Sequence, residues 1–304
     1  MAATLTRAIG DLTFPEVSQR LRETSILLLP VGAFEQHGPH LPLNTDTIIA
    51  EELARRMVAR WGETHDLWLL PAVSISVSRE HDWAPGTLSL SIENFIAVVR
   101  NLAQDIIRSL PARNLVILNG HGGNRGVLET LVRDLTRDGA LNCCVIHPHD
   151  LATVKASEPD VHGGAGETSI MLEFAPHLVR RDKLERQRKR ADKQAIETLV
   201  FARGTTWPWR SDDPRLAEHG VIGEPRNASA ELGRHIVDSI VAESGRVFEQ
   251  LLDNQRRWQA AGGSTSGPGD LAMRPAPQRR RPGPPARTSR HSGSPTPPPP
   301  GKKS

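Results

Sequence analysis

The segment EQHGPHLPLNTD, residues 35–46, places carboxylates and imidazoles close together between two apolar runs. Glu35 and His37 stand two residues apart, so in an extended chain both side chains lie on one face and converge on one site. Asp46 comes at the start of the next predicted helix, where free N–H groups and the positive end of the helix dipole favour a carboxylate. Asp46 is therefore a candidate metal ligand, although an ordinary helix cap explains it equally well.

Two further loops carry residues of the same chemical types. His121 lies in NGHGGN, residues 119–124, and His162 and Glu167 lie in DVHGGAGETS, residues 160–169. The glycines leave room for a ligand to approach His121. NGHGGNRG lacks the G-x-G-x-x-G pattern and the lysine of a P-loop, so it is a weak signal for nucleotide binding. Taken singly, each histidine could be a hydrogen-bonded loop residue, and Glu167 a residue that complements the helix dipole.

The three loops together give a stronger signal than any one of these residues. Two histidines and two or three carboxylates form a donor set that suits Zn, Mn or Fe. A single carboxylate that spans two ions gives a site in which the ions share a water molecule. The pattern therefore predicts a divalent-metal centre.

Short apolar runs alternate with longer amphipathic ones along the first half of the chain. Uniformly apolar runs suit strands buried on both faces of a parallel sheet, and apolar residues at helical spacing suit helices that cover it. This alternation predicts an α/β fold, a three-layer α/β/α sandwich with a mostly parallel sheet. The predicted strands are 25–32, 67–76, 114–120 and 142–149, and the predicted helices are 46–61, 92–110, 126–139, 168–174 and 229–258.

The predicted sheet gives the loops a common position. In an open parallel sheet, ligands bind at the carboxyl ends of the strands. Glu35 and His121 follow directly after two of the predicted strands. We therefore expect their loops to leave the same edge of the sheet.

Residues 262–304 differ in composition from the rest of the chain. They contain almost no large apolar residue, are rich in Pro, Gly, Ser and Arg, and carry eight basic residues against one acidic residue. The whole chain has a net charge of +3, so the remaining residues carry a net negative charge. This composition predicts a disordered tail after a single folded domain, residues 1–261. A solvated extension explains the basic tail, and no specific nucleic-acid partner is expected.

Cysteine usage and hydropathy bear on the compartment. The two cysteines, Cys143 and Cys144, are adjacent in an apolar run, which excludes a disulfide framework and fits a reducing compartment. The N-terminal segment lacks the apolar core of a signal peptide, and no apolar run of about 18 residues occurs in the sequence. We therefore expect a cytoplasmic protein with no membrane partner.

Four motifs together resemble the creatininase family of metal-dependent amidohydrolases. In order along the chain they are VGAFEQHGPHLPLNTDT, PGTLSL, LNGHGGNRG and HGGAGETSIML. The resemblance extends over roughly residues 12–250. It implies a three-layer α/β sandwich, a homo-oligomer that is often a hexamer, and two divalent ions per chain at the carboxyl edge of the sheet.

The resemblance also implies a ligand set for the two ions. Glu35 would hold the first ion, His37 the second, and Asp46 would bridge them. His121 would complete the shell of the first ion. The resemblance leaves His40 unmatched, so His40 is not expected to be a ligand.

One ligand of creatininase itself has no counterpart in this sequence. Its second ion takes a glutamate two positions after the histidine, within N-G-H-Y-E-N, and here that position is Gly123. The resemblance leaves Glu167 either as a substitute ligand or as a base beside the ions, and it makes His162 a proton shuttle. A site with a single ion is the alternative, because the second ion would lack this carboxylate.

The implied reaction is hydrolysis of a C–N amide-type bond in a cyclic amide, a formamide or a peptide, by a metal-bridging hydroxide. His162 or Glu167 would protonate the leaving amine. His81, Asn124 and the backbone N–H groups of Gly122 and Gly123 would bind the substrate or the developing oxyanion.

The branch within the family follows from smaller features. The chain contains no tyrosine, so it lacks the tyrosine of N-G-H-Y-E-N, and creatinine becomes a less favoured substrate. The HGGN sequence resembles other branches, which include a formamide hydrolase that acts on a pyrimidine nucleotide and the mycofactocin-precursor peptidase. His81 ahead of PGTLSL favours the peptidase branch. The non-enzymatic alternative is a metal-stabilised oligomeric scaffold.

Overall fold

A computed structural model describes residues 7–137, 140–156, 159–184, 192–202 and 204–261. The four strands are β1 (Ile26–Val31), β2 (Leu67–Leu69), β3 (Asn114–Asn119) and β4 (Asn142–Ile146). The helices of the first half are α1 (Phe14–Arg20), α2 (Thr45–His65), α3 (Ile92–Ser109) and α4 (Arg125–Leu135). Those that follow are α5 (Pro148–Leu151), α6 (Ala165–Phe174), α7 (Arg181–Leu184), α8 (Lys193–Leu199) and α9 (Ala230–Ala260).

The strands form one parallel sheet in the order β2-β1-β3-β4. β1 pairs with β3 from Ile26 opposite Asn114 to Val31 opposite Asn119. Every residue of both strands is buried, as expected for central parallel strands covered on two faces. The predicted α/β fold with a parallel sheet is confirmed.

The two faces of β1 contact two separate cores, because successive side chains of a strand point to opposite faces. Leu27, Leu29 and Val31 belong to a core that includes buried residues of α3 and α4. Ile26 and Leu28 belong to a second core that includes buried residues of α2, α6 and α9. Helices therefore cover both faces of the sheet, which gives three layers.

Several element boundaries differ from the predictions. β2 ends at Leu69 instead of residue 76, and the pairing with β1 resumes only at an isolated bridge between Val31 and Val73. β4 ends at Ile146, because Pro148 begins the short helix α5. The other predicted helices appear with their ends shifted by a few residues.

Two glycines let the start of α2 lie directly against the carboxyl edge of the sheet. A Cβ atom at Gly32, after β1, would lie 2.4 Å from Oγ1 of Thr47. A Cβ atom at Gly120, after β3, would lie 2.6 Å from the backbone oxygen of Asp46. These close approaches fix the first turn of α2, and with it Asp46, between the ends of β1 and β3.

Two sequence predictions concern residues or properties outside this architecture. The predicted disordered tail, residues 262–304, lies outside the described residues. Within the described part of the chain, none of the helices combines the length and the apolar character needed to cross a membrane.

Candidate metal centre

The loop after β1 places Glu35 and His37 in the interior. The N–H of Glu35 donates to the backbone oxygen of Leu43, 2.9 Å away, which closes the loop before α2. The side chains of Glu35 and His37 are fully buried, and Nε2 of His37 lies 4.0 Å from Oε1 of Glu35. The same nitrogen lies 2.9 Å from Oδ1 of Asp46 in the first turn of α2. One loop and the helix that follows it thus bring these three side chains together.

His121 enters the same cluster from the end of β3. Its Nδ1 atom lies 3.2 Å from Oε1 of Glu35 and 3.2 Å from Oδ2 of Asp46. The amide of Asn119 donates to the backbone oxygen of His121 at 2.7 Å, which holds the turn in place. The expectation that the loops after β1 and β3 meet at one edge agrees with this geometry.

Glu167 and His162 complete the cluster on the side of α6. Oε2 of Glu167 accepts a hydrogen bond from the N–H of Gly163 at 2.6 Å and lies 3.8 Å from Nε2 of His37. Nε2 of His162 lies 2.6 Å from the backbone oxygen of Gln36, so it carries the proton and donates. The unprotonated Nδ1 of His162 then faces Oε1 of Glu35 at 3.6 Å.

The four residues predicted to bind substrate take different places. His81 is buried, with Nε2 3.5 Å from Oε1 of Glu35 and its ring stacked 3.9 Å from that of His162. Gly122 lines a cavity beside the cluster. Gly123 lies against the ring of His121. The buried Asn124 amide accepts from the N–H of Val77 at 3.3 Å, so its side chain joins loops within the protein.

Two residues that the sequence did not single out also contact the cluster. The amide nitrogen of Gln36 lies 2.9 Å from Nδ1 of His81 and 3.1 Å from Nε2 of His162. Oε1 of Glu80 lies 3.4 Å from Nε2 of His121. Glu80 directly precedes His81 in SREHDW, but nothing in that local pattern shows that its partner lies after β3.

Two imidazoles of the cluster favour the protonated form when no ion is bound. Burial opposes the charged form of His37, but Asp46, Glu167 and Glu35 outweigh it and raise the pKa of His37 to about 10. Burial likewise opposes protonation of His121, yet Glu35 and Asp46 raise its pKa well above the ordinary value. Two protons thus occupy positions where cations would neutralise the same carboxylates.

The remaining groups are shifted mainly by burial. Burial raises the pKa of Glu35, and it raises the pKa of Glu167 to about 7. Burial, together with the charge on His37, lowers the pKa of His162 well below its ordinary value. Burial and the neighbouring imidazoles do the same to the pKa of His81. His81 and His162 are therefore neutral and present lone pairs.

The cluster fits divalent ions on two observations. Both carboxylate oxygens of Glu35 and Oδ2 of Asp46 are buried, and none of them accepts a hydrogen bond from the residues that the structure describes. Buried oxygens without donors are costly unless a cation neutralises them. The donors are imidazole and carboxylate, which suits Zn, Mn or Fe.

Among the residues that the structure describes, three groups of side chains could each hold an ion, since their ligand atoms lie within 4.8 Å of one another. Two of them share Asp46 and match the two-ion arrangement expected from the sequence, and the third would make His162 a ligand. The groups are Glu35 with Asp46 and His121, His37 with Asp46 and Glu167, and Glu35 with His37 and His162.

A cavity of about 370 Å³ adjoins the cluster and is lined by both His121 and Glu167. Part of its lining is apolar, and the lining also includes the charged residues Arg125, Lys155, Asp150 and Asp160 and the half-exposed ring of Phe201. The apolar wall is formed by Ile49, Leu53, Ile170, Ile236 and Ile240. A volume of this size is in the usual range for a small-ligand pocket.

Comparison with known proteins gives one consistent family. A family model described as creatininase, creatinine amidohydrolase, matches residues 10–248. The chain is 33% identical over 247 residues to the mycofactocin precursor peptide peptidase of Mycobacterium tuberculosis, covering 78% of this chain and 90% of the relative. It is 30% identical over 259 residues to the creatinine amidohydrolase of Pseudomonas putida, covering 77% and 92%.

A solved structure described as "Creatininase Mn" superposes with a TM-score of 0.66 at 25% sequence identity. The superposition covers 81% of this chain and 98% of that chain. The likeness therefore includes nearly the whole of the solved structure, with the parallel sheet and the helices on both of its faces.

Proposed function

Since this chain belongs to the creatininase family, we propose that it uses two divalent ions to hydrolyse an amide bond of a peptide that carries an apolar side chain. The general class of reaction follows from the family: the chain is a metal-dependent hydrolase that acts on C–N bonds. The peptide substrate, the number of ions and the roles of the residues are the parts that we propose.

The observation that carries the proposal is the contact between the metal cluster and the apolar cavity. His121 and Glu167 belong to the lining of the cavity of about 370 Å³, and so do isoleucine and leucine side chains. An amide placed at the cluster would leave the neighbouring part of its substrate in this apolar space. A peptide with an apolar side chain supplies such a group, and burial of that group contributes roughly 1.5–3 kcal/mol.

The family relatives support the same substrate class. The peptidase relative is 33% identical to this chain and acts, by its name, on a precursor peptide. The creatinine amidohydrolase relative is 30% identical. The two sequence identities are too close to separate the branches. The choice of a peptide over creatinine as the substrate therefore depends on the shape and polarity of the cavity.

We assign one ion to Glu35, Asp46 and His121 and the other to His37 and Asp46, and we leave Glu167 unbound beside the ions as an acid–base group. When bound, two such ions lower the pKa of water from 15.7 to about 7 and polarise the substrate carbonyl. Zn, Mn and Fe all suit this set of ligands. The chain itself supplies the ligands, the wall that orients the substrate, and the proton for the leaving amine.

Of the two predicted proton donors, Glu167 is the better placed. Its side chain is 27% exposed and lines the cavity, whereas the side chain of His162 is 6% exposed and donates to the backbone of Gln36. We therefore assign to the Glu167 carboxyl the delivery of a proton to the leaving nitrogen. His162 then holds the loop after β1 against the cluster.

The test is a substrate panel on protein loaded separately with Mn²⁺, Zn²⁺ and Fe²⁺. We expect cleavage of peptides with apolar residues at the scissile bond, and little or no turnover of creatinine or of simple formamides. Glu167→Gln should lose cleavage, while Glu173→Gln, on the same helix but paired with Arg56, should keep it. Turnover of creatinine with intact peptides would reject the peptide assignment.

The proposal also includes the cellular location and the oligomeric state of the enzyme. Both cysteines are free thiols in β4, which supports a reducing, cytoplasmic location. A homo-oligomer is proposed from the family resemblance. Light scattering of the purified chain tests the oligomer: a mass of one chain would contradict it.

A further inference from the structure

We propose that Glu80 is a positioning residue of the metal centre, which orients His121 and occupies the space that a side chain at position 123 would fill. The inference rests on the proposed metal site. It concerns a residue from the short 3-10 helix Arg79–His81, which precedes His121 by about forty residues in the sequence.

The two nitrogens of the His121 ring face carboxylates on opposite sides. Nδ1 lies 3.2 Å from both Glu35 and Asp46, and Nε2 lies 3.4 Å from Oε1 of Glu80. A histidine that binds a metal through one nitrogen commonly gives its other N–H to a carboxylate, which fixes the tautomer and the ring orientation. With its proton on Nε2 and directed at Glu80, His121 presents the lone pair of Nδ1 to an ion held by Glu35 and Asp46.

Position 123 must be glycine for Glu80 to lie there. A Cβ atom on Gly123 would lie 2.2 Å from Oε1 of Glu80 and 2.4 Å from Nε2 of His121. Both distances are far below van der Waals contact, so a side chain at 123 and the Glu80 carboxylate exclude each other. The sequence shows only a missing ligand at Gly123, whereas the structure shows a carboxylate from another loop in that space.

The backbone of Glu80 is held by a second segment of the chain. Its carbonyl oxygen accepts hydrogen bonds from the N–H of Ser211 at 3.0 Å and from its hydroxyl at 3.2 Å. The Glu80 side chain is 16% exposed. Glu80 thus has a fixed position beside His121.

The test measures Co²⁺ binding by the full chain, through competition with a chromophoric chelator and through the visible spectrum of the bound ion. We expect Glu80→Ala to weaken binding of one ion by 10- to 100-fold and to change its spectrum. Glu80→Gln should retain part of the affinity, since its amide oxygen can face Nε2 of His121 from the same position. Glu63→Gln, at an exposed position of α2, is the control and should bind as the wild type does.

A double-mutant cycle separates positioning from a general structural effect. Gly123→Ala displaces the Glu80 carboxylate, so we expect it to weaken Co²⁺ binding about as much as Glu80→Ala. The double variant should then be little worse than Gly123→Ala alone, because both changes remove the same contact. Additive losses would overturn the inference.

The remaining outcomes are also decisive. If the wild type binds Co²⁺ and folded Glu80→Ala binds it equally well with an unchanged spectrum, the inference fails and the proposed function stands. If the wild type binds no divalent ion, the proposed function fails and the inference fails with it. Should Glu80→Ala not fold, as judged by circular dichroism, Glu80→Gln and Gly123→Ala decide the question in the same assay.

Discussion

Nε2 of His37 and Oδ1 of Asp46 lie 2.9 Å apart and join the loop after β1 to the first turn of α2. Both side chains are almost fully buried. Gly32 and Gly120 allow this first turn to lie against the edge of the sheet. The candidate metal centre therefore depends on the packing of a helix end against two strand ends, and its ligands test that arrangement directly.

Asp46→Asn should remove metal binding and activity. Asp46 belongs to both proposed ligand sets, and the amide has the same size without the charge. Since loss of an outer partner alone costs about 10- to 100-fold in metal affinity, we expect a loss of roughly 100-fold or more. Metal analysis and kcat/KM measure it. Asp105→Asn, at an exposed ion pair with Arg108, is the control, and equal metal content in both variants would contradict the assignment.

Glu35→Gln should separate metal binding from stability. In the metal-free protein the buried Glu35 carboxylate lies 3.2 Å from the protonated ring of His121, so we expect its neutralisation to lower the free energy of unfolding, by up to about 3–5 kcal/mol. A ligand at 100 times its Kd stabilises the wild type by about 2.7 kcal/mol, and the variant should lose this gain. Urea unfolding with a chelator and with Mn²⁺ measures both quantities. A full metal-induced gain in the variant would count against Glu35 as a ligand.

His40 should make the fold less stable in acid. Burial lowers the pKa of His40 to about 4, while the unfolded chain has the ordinary value near 6.5. Between these values the unfolded state binds more protons, so stability is present above pH 6.5 and is lost as the pH falls towards 4. The contribution is at most about 3 kcal/mol.

The measurement for His40 is urea unfolding of metal-free protein between pH 4 and 7. His40→Gln should show a shallower decline than the wild type over this range. His177→Gln, at an exposed position, should follow the wild-type curve. Parallel curves for the wild type and His40→Gln would refute the prediction.

Phe248→Ala should destabilise the domain by about 3–5 kcal/mol. Phe248 is fully buried in the core between α9 and the sheet, beside His65. Phe14→Ala removes the same ring from a position that is 87% exposed, so its effect should stay within about 0.5 kcal/mol. Denaturant midpoints of the two variants provide the comparison. Equal midpoints would show that this helix face does not carry the core.

Deletion of residues 262–304 should leave metal content and hydrolysis unchanged. These residues carry an excess of basic side chains and almost no large apolar ones, so they add charge without a core. Kinetics of the shortened chain and a gel-shift assay with nucleic acid check the prediction. Nucleic-acid affinity that disappears on deletion would assign a partner to the tail instead.

Much of the fold could be predicted because buried strands and helices need apolar residues at regular spacings in the sequence. β1 is apolar throughout, β3 is apolar between its two terminal asparagines, and the helix that contains Leu53 and Met57 repeats its apolar residues at helical spacing. The predicted ends of the strands were less accurate where a proline begins the next element. Pro148 starts α5 soon after β4 ends, and the apolar run alone does not show this.

The site could be predicted in part for a different reason. Glu35, His37, Asp46 and His121 follow strand ends, and a parallel sheet places such ends together. No comparable rule predicts the contact between Glu80 and His121. This contact joins two loops, and their approach depends on how the segment that contains Ser211 packs. Resemblance to a family pattern showed only that position 123 had changed.

The exposure of the cluster also bears on how ions would come and go. In the described part of the chain, Glu167 is 27% exposed, whereas the side chains of Glu35, His37, Asp46 and His121 are at most 4% exposed. An ion at the Glu35 end would have to pass the other ligands to reach solvent, so its residence time would be long. The metal found in the purified protein would then depend more on which ion was abundant while the chain folded than on which ions the final buffer contains.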